Sequence, residues 1–267
     1  MSDEEYRAAY RGLADRGESR IPSTAIPAAL WRKNGAPFFR ASDCGEGGIA
    51  LRMPTPESAI RSVTRRVAAA LLLVALSPLF LLLAACVLAC DGAPVFFSQR
   101  RTGFGGKPFA LLKFRTMCGV GDPAVPRANG VPVAAHTPPA EAVRRSDRDG
   151  ALAKDGADPR VTRLGALLRR YSLDELPQLA NIVRGEMAFV GPRPLPVEES
   201  RTDAEWQSMR FRVLPGLTGL WQVTLRNRST FDELCRVDFI YACRRSFRLD
   251  AAILRATVSE VMRGNGR

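Results

Sequence analysis

The longest hydrophobic stretch of the chain is an uncharged run over residues 67–90, VAAALLLVALSPLFLLLAACVLAC. A helix of about 20 apolar residues spans a bilayer, so this run predicts a membrane segment. Ser77 and Pro78 lie near its middle, and a proline there removes a helical hydrogen bond and favours a kink. Basic residues flank both ends, which predicts that both ends stay on the cytoplasmic side. From the residues alone, a kinked spanning helix and a helix–break–helix that enters one leaflet and returns are both open.

Hydrophobic positions at three- and four-residue steps predict two consecutive helices after residue 157. We expect the first to open at Asp158 and Pro159, because aspartate accepts N–H groups at a helix start and proline lacks one. Its apolar positions are Val161, Leu164, Leu167, Leu168 and Tyr171. Those of the second helix are Leu176, Leu179, Ile182 and Val183, and Gly185 is its predicted C-terminal stop.

Two adjacent carboxylates, Asp174 and Glu175, lie between these helices. One interpretation is a capping box, with Ser172 as the cap and Glu175 three residues later. Pro177 opposes it, because a proline at the fifth helical position clashes with the carbonyl four residues back. A helix start near Leu176 instead leaves both carboxylates just outside the first turn, beside the positive end of the helix dipole. The residues alone leave capping and function equally open.

Strand-like segments surround this region. Residues 95–99 and 109–114 predict a hairpin, with a turn through three glycines. Lys113 and Arg115 alternate around Phe114, which predicts that both cations lie on one strand face, as substrate contacts or as a solvated surface. A short buried strand, 187–190, precedes Gly191-Pro192-Arg193-Pro194. The prolines restrict the backbone on both sides of Arg193, which suits either bidentate phosphate recognition or an ordinary surface turn.

The remaining segments carry weaker patterns. Residues 1–60 show no sustained period and are expected to form a mobile N-terminal extension or to adhere to the body, apart from a short helix over 3–13. Residues 119–155 are rich in Pro, Ala and Gly and are predicted to form an insertion loop. Residues 204–214 mix aromatic and basic residues, which suits an interfacial helix. A capping box is predicted at Thr230 and Glu233, and a last helix, 250–263, is expected to pack on the body.

Amino-acid composition limits which partners the chain can bind and which side chains can perform catalysis. The net charge of +12 comes from residues 61–267, because basic and acidic residues balance in residues 1–60. A basic body implies an anionic partner, either nucleic acid, anionic lipid or a phosphorylated substrate. The single histidine, His136, lies in a proline- and alanine-rich stretch, which argues against His-dependent triads and His-rich zinc sites. Six cysteines without a CxxC pair favour reduced thiols in a cytoplasmic setting. Catalysis would therefore depend on carboxylates, arginines, lysines or an oxygen-bound metal.

Four motifs in one order resemble the bacterial sugar transferase family, the monotopic polyprenyl-phosphate phosphoglycosyl transferases. They are KFRTM (113–117), SLDELPQL (172–179), FVGPRP (189–194) and PGLTGLWQV (215–223). The resemblance runs from about Arg65 to Thr257. Two departures are Ala69, where the family often has an aspartate, and Leu225, where it usually has a glycine before Arg226.

The resemblance implies a site and a reaction. Asp174 would be the nucleophile that displaces UMP from a UDP-sugar, and Glu175 would help to hold Mg²⁺. The residues implied to bind substrate phosphate are Arg169, Arg193, Lys113, Arg115 and, more weakly, Arg226. Asp238 and Tyr241 match an Asp-x-x-Tyr pattern and would support the site. The acceptor would be a polyprenyl phosphate, and a Ser-Pro break at Ser77 and Pro78 would mark a re-entrant segment.

The combined prediction is an α+β fold, a small and mostly helical catalytic domain with a short hairpin. Residues 1–60 would form the extension, 61–92 the re-entrant membrane helix, and 93–267 the cytosolic catalytic domain. The protein is expected in membrane lipid at the cytoplasmic face of the plasma membrane. A catalytically inactive membrane scaffold of the same fold is the alternative. Nucleic-acid binding rests on charge alone, and the uncharged run and the lack of a binding motif oppose it.

Overall fold

The computed structural model describes residues 3–16, 18–21, 44–45, 48–118, 127–128, 131–132, 160–200, 205–225 and 230–264. Its helices are α1 (Asp3–Arg16), α2 (Ala59–Ala75), α3 (Ser77–Asp91), α4 (Arg163–Arg170), α5 (Gln178–Arg184), α6 (Leu220–Thr224), α7 (Phe231–Arg244) and α8 (Phe247–Met262). Its strands are β1 (Glu18–Ile21), β2 (Cys44–Gly45), β3 (Gly48–Arg52), β4 (Phe96–Thr102), β5 (Pro108–Phe114), β6 (Arg127–Ala128), β7 (Val131–Pro132), β8 (Ala188–Val190) and β9 (Gly216–Thr218). The predicted loop 119–155 lies outside the described residues except for β6 and β7.

The strands form small sheets, in agreement with the α+β prediction. One sheet has the order β1-β3-β2, and the pairs β4-β5, β6-β7 and β8-β9 form the others in the described chain. The predicted hairpin is confirmed, because β4 and β5 run antiparallel with Phe97 opposite Lys113. Its turn passes through Gly105 and Gly106, whose φ angles of 65° and 75° belong to the left-handed region that favours glycine.

Helices α2 and α3 form a bent pair. Ser58 caps α2 by accepting the Arg61 N–H, and α3 begins directly after Leu76 with Pro78 in its first turn. Pro78 has no N–H to continue the hydrogen-bond ladder, so the predicted break is confirmed. The two axes differ by 61°. Within the described residues, only this pair together has the length and apolar composition of a bilayer span; a single helix does not.

One side of the helix pair packs against the hairpin and the helices that follow it. Ala69 is fully buried with Leu111, Leu179, Ile182 and Met187. Leu83 and Val87 contact Phe114 and Leu168. An aspartate at position 69 would place a carboxylate in this apolar cluster, so the alanine suits the packing seen here. The other side of the pair stays apolar and exposed, as at Leu71, Val74 and Leu81.

The described parts of the N-terminal segment adhere to the body, which is one of the two alternatives expected for it. Tyr6, Leu13 and Leu51 are fully or almost fully buried in the main core, where the Tyr6 ring stacks on Trp206 with centroids 4.8 Å apart. The short helix predicted near the N-terminus is present as α1. The described parts of residues 1–60 therefore pack as part of the body, because aromatic and aliphatic side chains at both ends of this segment bury their surface against α7 and residues 205–212.

One expectation for the C-terminal half is wrong. Residues Glu205–Arg212 form a 3-10 helix whose Trp206 and Met209 lie in the core, so they do not form an interfacial helix. The last helix, α8, packs on the body as predicted and buries Leu249 and Ile253, while Leu254 and Val258 remain exposed. The predicted capping box at Thr230 and Glu233 is confirmed at the start of α7.

Strand β8 leads directly into the Gly-Pro-Arg-Pro segment. It pairs in parallel with β9, with Val190 opposite Thr218. The Gly191 N–H donates to Thr218 O, and the Gly216 N–H donates to Pro192 O, each over 2.9 Å. A Cβ on Gly191 would lie 2.7 Å from the Gly216 nitrogen and closer still to Leu214 O. The two backbones touch here, so both glycines are required for the position of Arg193.

Candidate active site

Asp174 and Glu175 lie on a 3-10 turn, Leu173–Glu175, between α4 and α5. The capping-box interpretation is wrong, because the Ser172 side chain makes no capping bond and its φ of 54° is left-handed. Pro177 precedes the first residue of α5, where its ring causes no clash. The predicted stop of α5 at Gly185 is confirmed, with φ 84°. Both carboxylates are thus held on a tight turn outside a helix, as the second interpretation expected.

The preceding helix begins later than expected. Helix α4 starts at Arg163, and Thr162 caps it by accepting the Gly165 N–H at 2.8 Å. The expected start at Asp158 and Pro159 is therefore wrong. The Thr162 N–H also donates to Thr116 O, which joins the helix start to the segment after β5. This contact ties the start of the helix to the chain that directly follows the hairpin.

Two cations contact the carboxylate pair. Lys113 Nζ lies 2.7 Å from Glu175 Oε1 and 3.8 Å from Asp174 Oδ2. Arg193 Nη2 lies 3.4 Å from the same Glu175 oxygen. The structure therefore brings together four of the predicted site residues from three separate segments. Adjacent carboxylates repel each other, and two cations at this distance offset that repulsion.

The cluster is half-buried. Asp174 is only 7 % exposed, and the side chains of Lys113, Glu175 and Arg193 are 15–21 % exposed. A partly dry site strengthens interactions between these charges and a phosphorylated ligand. A charged donor that enters here meets one buried carboxylate and a second that two cations already hold.

Asn181 attaches α5 to the edge of β5, and sequence reasoning missed it. This fully buried side chain accepts the Leu112 N–H at 3.1 Å and donates to Ala110 O at 2.7 Å. It thus satisfies backbone groups that an edge strand would leave unpaired. Because Lys113 follows Leu112 directly, this attachment positions its amine beside Glu175. A polar residue within the apolar period of α5 was the available signal.

Arg101 also lies beside the cluster. Its guanidinium donates to Pro194 O at 3.2 Å and to Gln99 Oε1 at 2.6 Å. Burial lowers the pKa of Arg101 to about 10, and the nearby charge of Arg193 acts in the same direction. The sequence indicated Arg101 only as a cation flanking the membrane run. Its place here depends on the bridge between Arg101 and Pro196, for which the local sequence contains no signal.

Two other predicted phosphate ligands, Arg115 and Arg169, have polar partners besides the carboxylate pair. Arg115 donates to the carbonyls of Asp91, Gly92 and Ala93 at the end of α3. The strand ends at Phe114, so the alternation that predicted a shared face with Lys113 ends as well. Arg169 Nε donates to Thr116 Oγ1 at 2.9 Å. Arg226 lies outside the described residues.

Asp238 and Tyr241 lie behind the site and contact its backbone supports. Asp238 Oδ2 lies 3.2 Å from Arg210 Nη2, and the same nitrogen donates to Arg193 O at 2.7 Å. The Tyr241 hydroxyl lies 3.0 Å from Val190 O, directly before Gly191. Both predicted support residues therefore hold the segment that carries Arg193. Arg210 is the link that sequence reasoning missed, because its basic character suggested a surface position.

Asp238 makes stability depend on pH. Burial raises the pKa of its carboxyl from 3.8 to about 7, although the charge of Arg210 lowers it. The folded protein therefore keeps a proton that the unfolded chain has lost, so this contribution is fully present below about pH 4 and is lost as the pH rises through about 7. We expect the melting temperature of Asp238→Asn to fall less between pH 5 and 8 than that of the wild type. If the melting temperatures of the variant and the wild type changed equally between pH 5 and 8, the raised pKa of Asp238 would be contradicted.

The carboxylate pair also fits Mg²⁺. Carboxylate oxygens are the ligands that this ion prefers, and in phosphoryl-transfer sites one or two of them bind it together with substrate phosphates. In the described residues, no group of three or more His, Cys, Asp or Glu side chains is arranged to hold a metal. The donor set therefore fits an ion shared with the substrate rather than one enclosed by protein ligands.

Comparison with protein families matches residues 56–264 to the family described as bacterial sugar transferase. The chain belongs to this family. The match covers the helix pair, the carboxylate turn and α8, and it confirms the resemblance drawn from the four motifs. Family membership thus accounts for the order of the motifs along the chain.

Curated relatives support the same family. Exopolysaccharide production protein ExoY of Rhizobium meliloti is 39% identical over 235 residues, 88% of this chain and 97% of that protein. Undecaprenyl-phosphate glucose phosphotransferase of Komagataeibacter xylinus is 37% identical over 202 residues, 72% of this chain and 34% of that protein. Undecaprenyl-phosphate galactose phosphotransferase of Salmonella typhimurium is 35% identical over 176 residues, 66% of this chain and 35% of that protein.

Proposed function

We propose that this protein transfers a sugar-1-phosphate from a UDP-sugar to polyprenyl phosphate, with UMP and polyprenyl-diphosphate-sugar as products. The observation that carries the proposal is the buried Asp174 carboxylate beside a Glu175 that Lys113 and Arg193 hold. Two relatives are named for the transfer of glucose or galactose with undecaprenyl phosphate, and a third for exopolysaccharide production. An early membrane step in the synthesis of an extracellular polysaccharide follows from these names.

The reaction would proceed in two displacements. An Asp174 oxygen attacks the β-phosphorus of the UDP-sugar, an acyl-phosphate bond forms, and the bond from that phosphorus to the UMP oxygen breaks. A phosphate oxygen of the acceptor then attacks the same phosphorus, and the acyl-phosphate bond breaks to restore the Asp174 carboxylate. Each step exchanges one P–O bond for another, and neither requires a proton or a redox partner.

The surrounding cations would reduce the repulsion between the Asp174 carboxylate and the phosphate groups of the donor and the acceptor. Lys113 and Arg193 already face the carboxylates, so they are placed to neutralise phosphoryl oxygens as charge moves during transfer. Arg169, at the end of α4, would grip phosphate from the other side of the turn. Mg²⁺ held by Glu175 together with substrate phosphates would supply further charge neutralisation.

The bent helix pair supports a location at the membrane. We propose that α2 and α3 enter one leaflet and return, so that the basic flanks at Arg61 and Arg101 stay at the cytoplasmic face. The break at Leu76 and the exposed apolar side of the pair support this arrangement. A lipid-borne acceptor would then reach the carboxylate turn from the bilayer, because α2 and α3 pack directly against β5, α4 and α5.

The proposal is tested by UMP release. Detergent-purified protein is incubated with undecaprenyl phosphate, Mg²⁺ and a panel of UDP-sugars. We expect release with one or two of the sugars and none without the acceptor beyond a single turnover. If folded, lipid-bound protein released no UMP with any sugar of the panel, the result would favour the inactive scaffold.

The Glu175→Gln variant tests the role of Glu175 independently of the role of Asp174. The change removes the charge between Lys113 and Arg193, so we expect turnover to fall by about 10²-fold and to need more Mg²⁺. Initial rates across a Mg²⁺ titration measure both effects. Glu205→Gln is the matched control, because Glu205 is exposed on the 3-10 helix. An unchanged Mg²⁺ requirement would remove Glu175 from the metal site.

A further inference from the structure

A separate cavity of about 470 Å³ lies where β3 and the chain after it meet the C-terminal end of α7. Four arginines line it: Arg52, Arg61, Arg244 and Arg245. Its lining contains no carboxylate and no residue of the cluster around Asp174. The cavity is therefore cationic and distinct from the proposed catalytic site.

Carboxylates beside the cavity neutralise only part of this charge. Asp250 Oδ2 lies 2.6 Å from Arg61 Nη2. Glu57 pairs with Arg65 and lies 3.9 Å from Arg61 Nε. Among the described side chains, these two carboxylates stand beside Arg65 and the four arginines of the lining, so the described charge there is positive. Arginine presents planar donors that match the oxygens of a phosphate, so a phosphate group is the chemistry that this cavity fits.

One rim of the cavity is apolar. Ser246 lines the cavity, and the next residue, Phe247, is 84 % exposed. Leu254, Val258 and Met262 follow on the same face of α8 at steps of seven, four and four residues and are 41 %, 62 % and 78 % exposed. A stripe of exposed apolar side chains therefore runs along α8 from the mouth of the cavity. Such a stripe on a surface helix is typical of a helix that lies in a membrane interface.

The opposite rim is the start of the membrane helix pair. Ile60 and Val63 lie on either side of Arg61 in α2 and are 81 % and 59 % exposed. The bond between Arg61 and Asp250 joins this helix start to the first turn of α8. The cationic cavity thus lies between two exposed apolar helix faces, one of which continues into the bilayer segment. Exposing these two apolar faces to water is unfavourable. An amphiphile with a phosphate headgroup would match both the cationic cavity and the apolar faces beside it.

We propose that the cavity binds the phosphate headgroup of an anionic membrane phospholipid, while the apolar stripe of α8 lies along the membrane surface. The proposal rests on the membrane attachment that is part of the proposed function. Charge complementarity with the arginines and continuity with α2 favour a lipid headgroup over a free phosphate. The occupant would be a bulk phospholipid rather than the acceptor, because the acceptor must reach Asp174.

Hydrogen bonds link the residues around the cavity to the backbone segment that carries Arg193. Asp250, which contacts Arg61, also lies 2.8 Å from the Tyr241 hydroxyl, and this hydroxyl reaches Val190 O before the segment of Arg193. A bound headgroup would therefore hold the body at a defined orientation to the bilayer through contacts that also support the catalytic segment. Arg52 and Arg245 form none of these hydrogen bonds, although the charge of Arg245 acts on Asp250 and Tyr241, and both line the cavity, so they are chosen for mutation.

The test uses thermal unfolding of the full chain in dodecyl maltoside. Phosphatidylglycerol, phosphatidylcholine and inorganic phosphate are titrated separately. We expect phosphatidylglycerol to raise the melting temperature and the other two to have little effect. The double variant Arg52→Gln and Arg245→Gln should bind phosphatidylglycerol about 30-fold more weakly. Arg7→Gln with Arg11→Gln, on the exposed side of α1, removes the same charge elsewhere and should leave the affinity unchanged.

Each other outcome overturns the proposal. Equal affinities for the wild type and the cavity variant would remove the cavity as the site. Equal stabilisation by inorganic phosphate would replace the lipid with a soluble phosphate. UMP release by the same preparations separates this proposal from the proposed function. Release without a phosphatidylglycerol effect refutes the lipid site alone, and a phosphatidylglycerol effect without release refutes the transferase reaction alone.

Discussion

Replacing Asp174 by asparagine is expected to abolish UMP release. The amide has the shape of the carboxylate but cannot attack phosphorus, so turnover should fall by at least ~10⁴-fold. Asp174 is buried and close to Lys113, and the substitution keeps a polar group of the same size there. Folding should therefore survive, which thermal unfolding checks. Wild-type protein given UDP-sugar without acceptor should carry a phosphosugar on the peptide that contains Asp174, detectable by mass spectrometry, and the variant should not.

The control is Asp232→Asn. Asp232 lies in the first turn of α7 and accepts the Gln207 side-chain N–H at 3.1 Å, a bond that asparagine can also accept. The same chemical change at this position should leave turnover within about twofold of the wild type. Near-normal turnover by Asp174→Asn would refute the covalent mechanism, even if the transferase reaction itself were confirmed.

Gly191→Ala is expected to damage both stability and activity. The added Cβ would lie 2.7 Å from the Gly216 nitrogen and 2.9 Å from the Pro215 carbonyl carbon, and backbone atoms cannot turn aside as a side chain can. Relief requires β8 and β9 to separate, which costs on the order of 3 kcal/mol. The melting temperature should fall by roughly 10 °C. Arg193 would move away from Glu175, so the variant should also lose turnover at temperatures where it remains folded.

Gly105→Ala provides the comparison. Nothing lies within 4 Å of a Cβ at Gly105, and only its φ of 65° opposes alanine. That strain costs about 1 kcal/mol, equivalent to roughly 2–4 °C, and should leave turnover unchanged. Equal losses for the two variants would show that the close approach of β8 and β9 does not position Arg193.

Local features of the fold were predictable because the residues that decide them are close in sequence. Pro78 breaks the membrane run through its own missing N–H, Gly185 ends α5 through its left-handed φ, and Thr230 with Glu233 caps α7. The helix start that failed had a long-range cause. Asp158 and Pro159 looked like a helix start, but Thr162 performs that role because its neighbour Thr116 comes from another segment.

The KFRTM motif shows that the alternation of a strand predicts side-chain positions only as far as the strand itself extends. Its first four side chains reach four different places: Lys113 contacts Glu175, Phe114 enters the core, Arg115 holds the end of α3, and Thr116 accepts a bond from Arg169. A strand pattern predicts alternation between two faces, and this segment leaves the strand after Phe114. Four residues in a row thus join α3, the core and the carboxylate turn.

The sequence by itself determined the apolar run and its break, the helix–turn–helix around Asp174, and, through the motifs, the family and the candidate carboxylates. Only the tertiary structure decided which cations meet those carboxylates. Lys113 and Glu175 are 62 positions apart and meet because Asn181 holds α5 on the edge of β5. Likewise, Tyr6 covers Trp206, and Arg210 becomes a buried support for Arg193. Such contacts depend on the packing of whole elements, since periodicity shows which face of a helix is apolar but not which partner will cover it.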